Sequence, residues 1–242
     1  MPHLDRFRVP TSDGRATTVH VVRHRVPTAV RLVRLDPPSP VLEWANEQGV
    51  REVISGGFFA KPDDVPLGEL VTPEGDGHRP FRPPYDRTRG CLRLGAGRAE
   101  IGPRDRLAPG GEMLQAGPLL VSGGRPVVAD EDPEGFSSTQ DEFDQDLTAE
   151  RLPRMAIGLE ADGSWLAVAV DGRGEDDAGL YLGEFAELLV ELGADSALNL
   201  DGGSSSALVA GGVLRNTPRD DEGNELGAAG PTTSAIVFGP PS

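Results

Sequence analysis

The sequence is poor in the residues that identify several protein classes. Cys91 is the only cysteine among 242 residues, so no intrachain disulfide can form. The four histidines are scattered at positions 3, 20, 24 and 78, and no Cys/His spacing of a zinc site is present. No apolar run approaches the ~18 residues of a membrane-spanning helix. These absences argue against a disulfide-stapled domain, a zinc module and a helical membrane protein.

Positive charge is also scarce, and Lys61 is the only lysine. The chain has 23 basic and 39 acidic residues, which gives a formal net charge of −16. Nucleic acids and anionic membrane surfaces both require a basic face, so neither is expected as a partner. The distribution is uneven: residues 1–34 contain seven arginines (6, 8, 15, 23, 25, 31 and 34) but only two acids.

The composition is that of a loop-rich globular protein. Hydrophobic residues make up 37% of the chain, with 32 glycines and 22 prolines. A chain of this length can bury a proper core, and we expect residues 1–242 to form one domain. The start, "MPHLDRFRVPTSDG", lacks the apolar core of a secretory signal, so a cytoplasmic location is expected. The oligomeric state is left open.

Alternating and β-branched patterns predict strands through most of the chain. The predicted strands and hairpins cover residues 17–25, 29–35, 51–59, 91–102, 115–128, 154–160, 164–172, 196–200, 205–209 and 233–238. The segments 61–90, with six prolines, and 130–150, with nine acids and no base, are predicted to be irregular and to lie near the mouth of a cleft.

Two segments have helical patterns. Residues 41–48 follow Ser39, a predicted N-cap, and Pro40, a predicted first-turn residue, and Gly49 ends the helix. Within 183–192 the apolar residues recur at i, i+3, i+4 and i+7, and Gly193 follows. The predicted fold class is therefore α+β, with a central mixed β-sheet, a few flanking helices and long irregular loops.

The stretch "SALNLDGGSSSALV" (196–209) ends a buried strand with Asn199 and Asp201, followed by two glycines and three serines. One interpretation is a polar turn, because Asp-Gly is a common turn sequence. The other is a site in which an acid lies beside unshielded backbone N–H groups. A helix, a glycine, a strand and a glycine pair also precede Phe58, so two strand ends with glycine pairs, 56–57 and 202–203, could meet at one cleft.

Six segments stand in an order known from one enzyme family. They are "ISGGFF" (54–59), "AGPLLVSGGRPV" (116–127), "LPRMAIGLEADG" (152–163), "LAVAVDGR" (166–173), "LGADSALNLDGGSSSALV" (192–209) and "VLRNTP" (213–218). Together they resemble the phosphodiester glycosidase family over about residues 45–240. Four positions depart from the family pattern: Ser55 replaces Asn, Leu152 replaces His, Met155 replaces Thr and Ser204 replaces a third Gly.

The resemblance implies a hydrolase that cleaves the glycosidic bond of a sugar-1-phosphodiester and releases the sugar and a phosphate monoester. This reaction needs donors for the departing phosphate oxygens, and a carboxylate that activates water or stabilises an oxocarbenium-like centre. Arg154 is the predicted cation, because its guanidinium can grip two phosphate oxygens. Asp201 and Asp171 are the predicted catalytic carboxylates, since each follows a predicted strand and precedes a glycine.

Consecutive backbone N–H groups at glycines are predicted to form anion nests for the phosphate. One of the two phenylalanines at the end of the fourth predicted strand is expected to face a sugar ring. The predicted substrate-binding residues are Gly56, Gly57, Phe58, Asn199, Gly202, Gly203, Ser204, Ser205 and Asn216.

The chemistry requires no cofactor, and the sequence offers no support for a divalent cation beside the carboxylates. Two other functions stay open. A serine hydrolase is suggested by the Gly203-Ser204-Ser205 sequence, which approaches the G-x-S-x-G elbow but ends in alanine. A non-catalytic protein that binds a sugar phosphate or a nucleotide in the same cleft is the second, and the family departures favour it. In every case the expected partner is a small molecule.

Overall fold

The computed structural model describes residues 2–61, 63–95, 97–128, 134–136 and 148–239. Most of the acidic segment 130–150 lies outside the described residues. Among those described, no helix has the length and apolar character that a membrane crossing requires. The strands are β1 (His3–Pro10), β2 (Ala16–His24), β3 (Ala29–Ser39), β4 (Val53–Ser55), β5 (Phe59–Ala60), β6 (Val65–Pro66), β7 (Leu70–Thr72), β8 (Gly75–Asp76), β9 (Gly90–Gly95), β10 (Arg98–Pro103), β11 (Glu112–Gln115), β12 (Leu119–Ser122), β13 (Arg125–Pro126), β14 (Arg154–Glu160), β15 (Trp165–Val170), β16 (Ala194–Asn199), β17 (Leu208–Ala210), β18 (Val213–Leu214) and β19 (Thr232–Gly239).

The strands form three main sheets. The first has the order β1-β2-β15-β14-β16-β12-β13, the second β10-β9-β11-β7-β8 and the third β18-β17-β4-β19-β3. Strands β5 and β6 make a separate pair. The fold is thus rich in β-structure with few helices, as predicted, and the hairpins predicted around residues 95–97, 122–124 and 162–163 are confirmed.

The prediction of one central mixed sheet is wrong. Every strand ladder among the described residues is antiparallel, and the one parallel pairing described is an isolated bridge between Leu67 and Arg79. Parallel neighbours need long crossover connections, usually helical, whereas hairpins need only short turns. The glycine-rich turns of this chain therefore produce antiparallel sheets.

Alternation along the strands explains how the layers pack. In the first sheet, Met155 and Ile157 of β14 join one hydrophobic cluster while Ala156 joins another. In the third sheet, Ile236 joins the first of these clusters and Ala235 belongs to a third one. The first cluster also includes residues of the second sheet, so it is a core shared by all three sheets. The other two clusters lie on the outer faces of the first and third sheets.

Each outer face is covered by a helix. Helix α3 (Leu182–Glu191) buries Phe185, Leu188 and Leu189 against the first sheet, which confirms the predicted stripe, and each side chain contributes about 1.5–3 kcal/mol on burial. Helix α1 (Val41–Gln48) covers the third sheet with Val41 and Ala45. Its predicted C-cap, Gly49, has a φ of +66°, the left-handed conformation that glycine adopts without strain.

Two local predictions were wrong. Ser39 is the last residue of β3 and does not cap α1, because its hydroxyl donates to the Pro37 carbonyl and Pro40 takes the N-cap position. The segment 61–90 is not simply irregular. It contains β6, β7, β8 and the short helix α2 (Tyr85–Thr88), since its prolines fall mostly at the ends of these elements and leave the ladder bonds intact.

A described part of the acidic segment, residues 134–136, is anchored in the core. The buried Glu134 carboxylate accepts backbone N–H groups from Gly90 (2.7 Å) and Leu119 (2.6 Å). The fully buried Arg89 guanidinium lies over the rings of Phe81 and Phe136, 4.2 and 4.1 Å from their centroids. These contacts tie the segment to the strands β9 and β12.

Candidate active site

The Asp-Gly sequences at 171–172 and 201–202 meet at the start of β14. This strand pairs with β15 on one side and β16 on the other, so the residues that follow both neighbours flank Pro153. A Cβ on Gly172 would come within 2.7 Å of the Pro153 nitrogen, and a Cβ on Gly202 within 2.7 Å of the Pro153 carbonyl oxygen. A side chain at either position would collide with the backbone, so each glycine permits a close approach of three strand ends.

Asp201 lies where the first and third sheets come together. Its N–H donates to the Gly56 carbonyl (3.0 Å), which confirms that the two glycine-bearing strand ends converge. The side chain of Ser205 and the N–H of Gly202 interact with its carboxylate and favour the ionised form. Burial outweighs both and raises the pKa of Asp201 to about 7. A carboxyl group that titrates near neutral pH is suited to general acid–base catalysis.

Asp171 has a different environment, which does not favour its predicted role as the second catalytic carboxylate. Its side chain is 2% exposed, one oxygen lies 2.9 Å from His20 Nε2, and the other accepts the Thr217 N–H at 2.8 Å. Its carbonyl also accepts the Thr17 hydroxyl (2.6 Å). Both carboxylate oxygens are therefore engaged by the protein. Asp171 ties β2, the end of β15 and the segment after β18 together.

Arg154 is brought to the same end of the sheet but points to the other face. Arg154 pairs with Val170 of β15, and the two side chains share the face of the sheet that packs under α3. Asp171 follows Val170, so its side chain lies on the opposite face. The Arg154 guanidinium donates to the carbonyls of Leu180 (3.0 Å) and Glu150 (2.8 Å). Burial lowers the pKa of Arg154 to about 10. This placement does not support the predicted phosphate-gripping role, and Arg154 holds the segment before α3 instead.

Most backbone N–H groups of the predicted anion nests donate to acceptors within the protein. Gly56 N–H donates to the Ser234 carbonyl (2.9 Å) and Gly57 N–H to the Ser234 hydroxyl oxygen (3.0 Å). Gly203 N–H donates to the Pro153 carbonyl (3.2 Å). These three N–H groups are therefore not available to a phosphate. The structure does not support the phosphate-binding role predicted for Gly56, Gly57 and Gly203.

The remaining residues of the loop after Asp201 form a short 3₁₀ helix, Gly203–Ser205. Ser204 is half-buried and its carbonyl accepts the Gly230 N–H at 2.8 Å. Ser205 is buried, and its carbonyl accepts the Ser55 hydroxyl at 2.7 Å. Ser204 and Ser205 thus lie beside Asp201, as predicted. Ser55, which replaces the family's Asn, ties this loop to β4.

Phe58 and Asn216 are both buried and have partners within the protein, which does not favour the substrate contacts predicted for them. Phe58 is 5% exposed and packs in the shared core, with its ring centroid 5.9 Å from that of Phe136, so it offers no face to a sugar. Asn216 is also buried. Its side chain accepts the Leu208 N–H (2.8 Å) and donates to the Ser206 carbonyl (2.9 Å). These bonds tie the segment after β18 to the start of β17.

Asn199 is a buried amide near the site with one unused oxygen. Its Nδ2 donates to the carbonyls of Gly117 (2.9 Å) and Leu200 (3.0 Å). Its Oδ1 is buried without a hydrogen-bond partner among the described residues. The donor contacts hold the bend from β16 toward Asp201, so Asn199 orients the loop rather than presenting its amide to a ligand.

Arg173 is the cation that the sequence argument missed. Its guanidinium lies against the loop after Asp201, since a Cβ on Gly203 would come within 3.3 Å of Nη1. Its backbone has a φ of +59°, which is uncommon for a residue with a side chain and is found preferentially at functional sites. Arg173 pairs with Asp221 (2.6 Å), whose side chain is 67% exposed. The signal was present as the fourth residue of the Val-Asp-Gly-Arg sequence.

Arg173 also borders a polar cavity of about 380 Å³. Arg15, Arg151 and Tyr181 line the same cavity. Arg151 is held in place by Glu184 and Asp13, each at 2.7 Å, and its guanidinium lies 4.4 Å from the Tyr181 ring centroid. The three arginines around this cavity contrast with the acidic character of the whole chain, although Glu150 and Asp177 also line it.

The described residues offer little for the other chemistries considered. No hydrogen bond in this part of the chain joins a histidine to Ser204, Ser205 or Ser206; the buried His20 binds Asp171. In the same part of the chain, no three His, Cys, Asp or Glu side chains are grouped as metal ligands would be.

Comparison with sequence families places most of the chain in one group. A family model described as phosphodiester glycosidase matches residues 48–238. Two curated relatives are N-acetylglucosamine-1-phosphodiester alpha-N-acetylglucosaminidases. The one from Bos taurus is 39% identical over 67 residues, and the one from Mus musculus is 31% identical over 108 residues. These alignments cover 28% and 45% of this chain but only 12% and 20% of the relatives' own lengths.

Solved structures support the same fold. The catalytic domain of the zebrafish N-acetylglucosamine-1-phosphodiester alpha-N-acetylglucosaminidase, auto-inhibited by its pro-peptide, has a TM-score of 0.75 at 17% identity, covering 99% of this chain and 83% of that one. A hypothetical protein from Synechocystis has a TM-score of 0.73 at 21% identity, covering 97% of this chain and 61% of that one. At these identities the likeness establishes the fold.

Proposed function

The chain belongs to the phosphodiester glycosidase family, and from this membership we propose that it hydrolyses a sugar-1-phosphodiester at the glycosidic bond. Water adds to the anomeric carbon, the bond from that carbon to the phosphate oxygen breaks, and a phosphate monoester leaves with the bonding electron pair. The proton lost by water passes to the protein. The sugar and the phosphate monoester are the products.

We assign the proton transfer to Asp201. A phosphate is a good leaving group, so the reaction needs more help at the attacking water than at the departing oxygen. With a pKa of about 7, Asp201 is partly ionised at neutral pH and accepts a proton more readily than an ordinary carboxylate. This titration behaviour, at the junction of two glycine-bearing strand ends, is the single observation that carries the proposal.

We assign the departing phosphate to Arg173. Its guanidinium lies beside Gly203, two residues from Asp201, and borders the arginine-lined cavity. A planar guanidinium can donate two parallel hydrogen bonds to phosphate oxygens, and the exposed Asp221 can give up its contact to water. The cavity beside Arg173 would take the part of the substrate on the far side of the phosphate.

The test is steady-state hydrolysis of N-acetylglucosamine-1-phosphomethyl diester, the substrate type in the relatives' names, with free sugar and methyl phosphate measured as products. Removing the base by Asp201→Asn, or the bidentate fork by Arg173→Lys, should each lower kcat by about a hundredfold, which corresponds to ~3 kcal/mol of transition-state stabilisation. The matched control is Asp195→Asn, the same chemical change at an exposed position of β16.

The outcomes separate this proposal from its alternatives. Wild-type kcat/KM should rise with pH through about 7, and the Asp201→Asn variant should lose that dependence. Binding of the diester without turnover would instead support a non-catalytic sugar-phosphate protein. Abolished turnover in Ser205→Ala together with full activity in Asp201→Asn would point to a serine hydrolase. A panel of diesters with other sugars then identifies the preferred one.

A further inference from the structure

A second cavity lies at the other end of β4 from the candidate active site. It has a volume of about 660 Å³ and is formed by the turn between β2 and β3, the turn between α1 and β4, and the last residues of β19. Strand β4 begins at Val53, beside this cavity, and ends at Ser55, beside the loop that carries Asp201. The two sites therefore share a strand but open at its opposite ends.

The lining of this cavity is basic in a strongly acidic protein. The lining contains three arginines, Arg25, Arg31 and Arg51, and one acidic residue, Glu52. The whole chain, by contrast, has a net charge of −16. Glu52 does not neutralise the arginines by contact: one of its oxygens accepts the Gly211 N–H at 2.8 Å. Its other oxygen is buried with no hydrogen-bond partner among the described residues.

Two of the three arginines have unused donors. Arg25 lies in the turn after β2 and Arg31 on β3, and both are exposed. Within the described residues, neither side chain forms a salt bridge or a hydrogen bond. Arg51 donates to the Gly211 carbonyl at 2.7 Å, and its charge also attracts the neighbouring Glu52 carboxylate. Three guanidinium groups around one cavity, with their donors largely unspent, form a binding surface for a negatively charged group.

Part of the cavity lining is apolar. His24 and Phe238 are 5% and 4% exposed and stack on each other beneath the lining, with ring centroids 4.0 Å apart and an interplanar angle of 4°. Burial lowers the pKa of His24 to about 4, so its ring is neutral at physiological pH and adds no charge to the lining. Val50, Val237 and Pro27 complete the apolar part of the lining. A ligand with an apolar body would bury surface there that inorganic phosphate cannot.

We propose that this cavity is a binding site for a small organic anion, a phosphate or carboxylate carried on an apolar body. The anionic group is held by Arg25, Arg31 and Arg51, and the body lies against Pro27 and Val50. This assignment rests on the cavity alone and stands whether or not Asp201 catalyses hydrolysis. It also accounts for part of the arginine excess in residues 1–34, which the candidate active site leaves unexplained.

Isothermal titration calorimetry with phenyl phosphate tests the site. Benzoate, inorganic phosphate and benzyl alcohol show whether binding requires the anionic group, the apolar body or both. Phenyl phosphate or benzoate should bind more tightly than inorganic phosphate, and benzyl alcohol should not bind. The variant Arg25→Ser/Arg31→Ser should weaken binding about tenfold for each arginine removed. The matched control is Arg6→Ser, an exposed arginine outside the cavity, which should leave the Kd unchanged.

A second pair of variants separates this cavity from the candidate active site. Asp201→Asn and Arg173→Lys should leave the affinity for benzoate, which is not a phosphate monoester of the kind released at the candidate active site, as it is in the wild type. Equal affinity in the wild type and in the Arg25→Ser/Arg31→Ser variant would overturn the proposal, as would loss of benzoate binding in Arg173→Lys alone, which would place the anion at the active site. Because Arg25 and Arg31 are exposed and form no hydrogen bond or salt bridge among the described residues, thermal melting should show that the double variant is folded.

Discussion

Two aspartates with the same sequence context have different surroundings in this protein. Asp171 and Asp201 each follow a buried strand and precede a glycine that packs on Pro153. The two carboxylate oxygens of Asp171 contact His20 and the Thr217 N–H. Asp201 is half-buried, and its carboxyl group has a raised pKa. Sequence spacing places both at one end of the sheet, but the direction of each side chain depends on partners far away in the chain. Only Asp201 retains the properties of a catalytic acid or base.

The raised pKa of Asp201 makes it a source of instability at neutral pH. The group titrates near its ordinary value of 3.8 when unfolded and at about 7 when folded, so the folded state binds the proton more tightly. Its contribution to stability is complete below about pH 4 and is lost as the pH rises through about 7. Asp201→Asn should therefore leave the free energy of unfolding nearly unchanged at pH 4 and raise it by about 2–4 kcal/mol at pH 8.

Urea unfolding of the wild type and the variant at both pH values measures this difference. Asp195→Asn is again the control, because an exposed aspartate should show no such pH dependence. An equal effect of Asp201→Asn at pH 4 and pH 8 would show that the carboxyl group is not buried in the way described. A gain in stability combined with loss of turnover is the expected signature of a residue retained for function.

At the scale of elements, the position of β14 between β15 and β16 decides which glycines are irreplaceable. Gly202→Ala places a Cβ within 2.7 Å of the Pro153 carbonyl oxygen, a backbone atom that cannot move aside cheaply. The free energy of unfolding should fall by about 1–3 kcal/mol, the usual cost of overpacking. The control, Gly183→Ala, lies in α3 with no atom within 4 Å of the new Cβ and should raise stability by about 0.5–1 kcal/mol.

Chemical denaturation of the two variants distinguishes the steric explanation from a general intolerance of substitution. If Gly202→Ala were as stable as the wild type, the crowding at Pro153 would be disproved. Activity should be lost in the same variant, because the displaced backbone carries Asp201.

The elements with regular patterns were predictable, and those shaped by distant partners were not. The hairpin β14–β15, helix α3 and the strand before Asp201 follow from alternation, helical spacing and Asp-Gly turns. The roles of Arg154 and Arg173 could not be predicted in this way. Arg154 faces the helix because its partner across the ladder does, and Arg173 reaches Gly203 through a left-handed backbone that no local pattern announces.

The glycine pairs show the same limit. The sequence indicates correctly that Gly56-Gly57 and Gly202-Gly203 belong to converging strand ends. It cannot show whether their N–H groups point to a ligand or to the protein, since the acceptors, Ser234 and Pro153, lie far away along the chain. The pairing of whole strands into three antiparallel sheets, rather than one mixed sheet, depends on the same kind of long-range contact.

At the scale of the whole molecule, three sheets share a core and helices cover the outer faces of the first and third sheets, so most charged residues lie at the surface. The chain has 39 acidic and 23 basic residues, and ion pairs such as those of Arg151 with Asp13 and Glu184 use only part of the acidic excess. Repulsion between the remaining carboxylates opposes the compact state, while salt weakens repulsion and exposed ion pairs alike. Whether added salt raises or lowers the melting temperature therefore shows whether repulsion or ion pairing dominates.

We expect repulsion to dominate, so the melting temperature should rise with ionic strength. Between 10 and 200 mM NaCl the Debye length falls from about 30 Å to less than 10 Å, which screens the surface charges from one another. A relief of about 1 kcal/mol would raise Tm by about 2–4 °C for a chain of this size. The Arg25→Ser/Arg31→Ser variant, which makes the protein more negative by two charges, should show a steeper rise than Arg6→Ser. A Tm that falls with NaCl would mean that arginine–carboxylate pairs, rather than the acidic excess, govern the electrostatic stability of this fold.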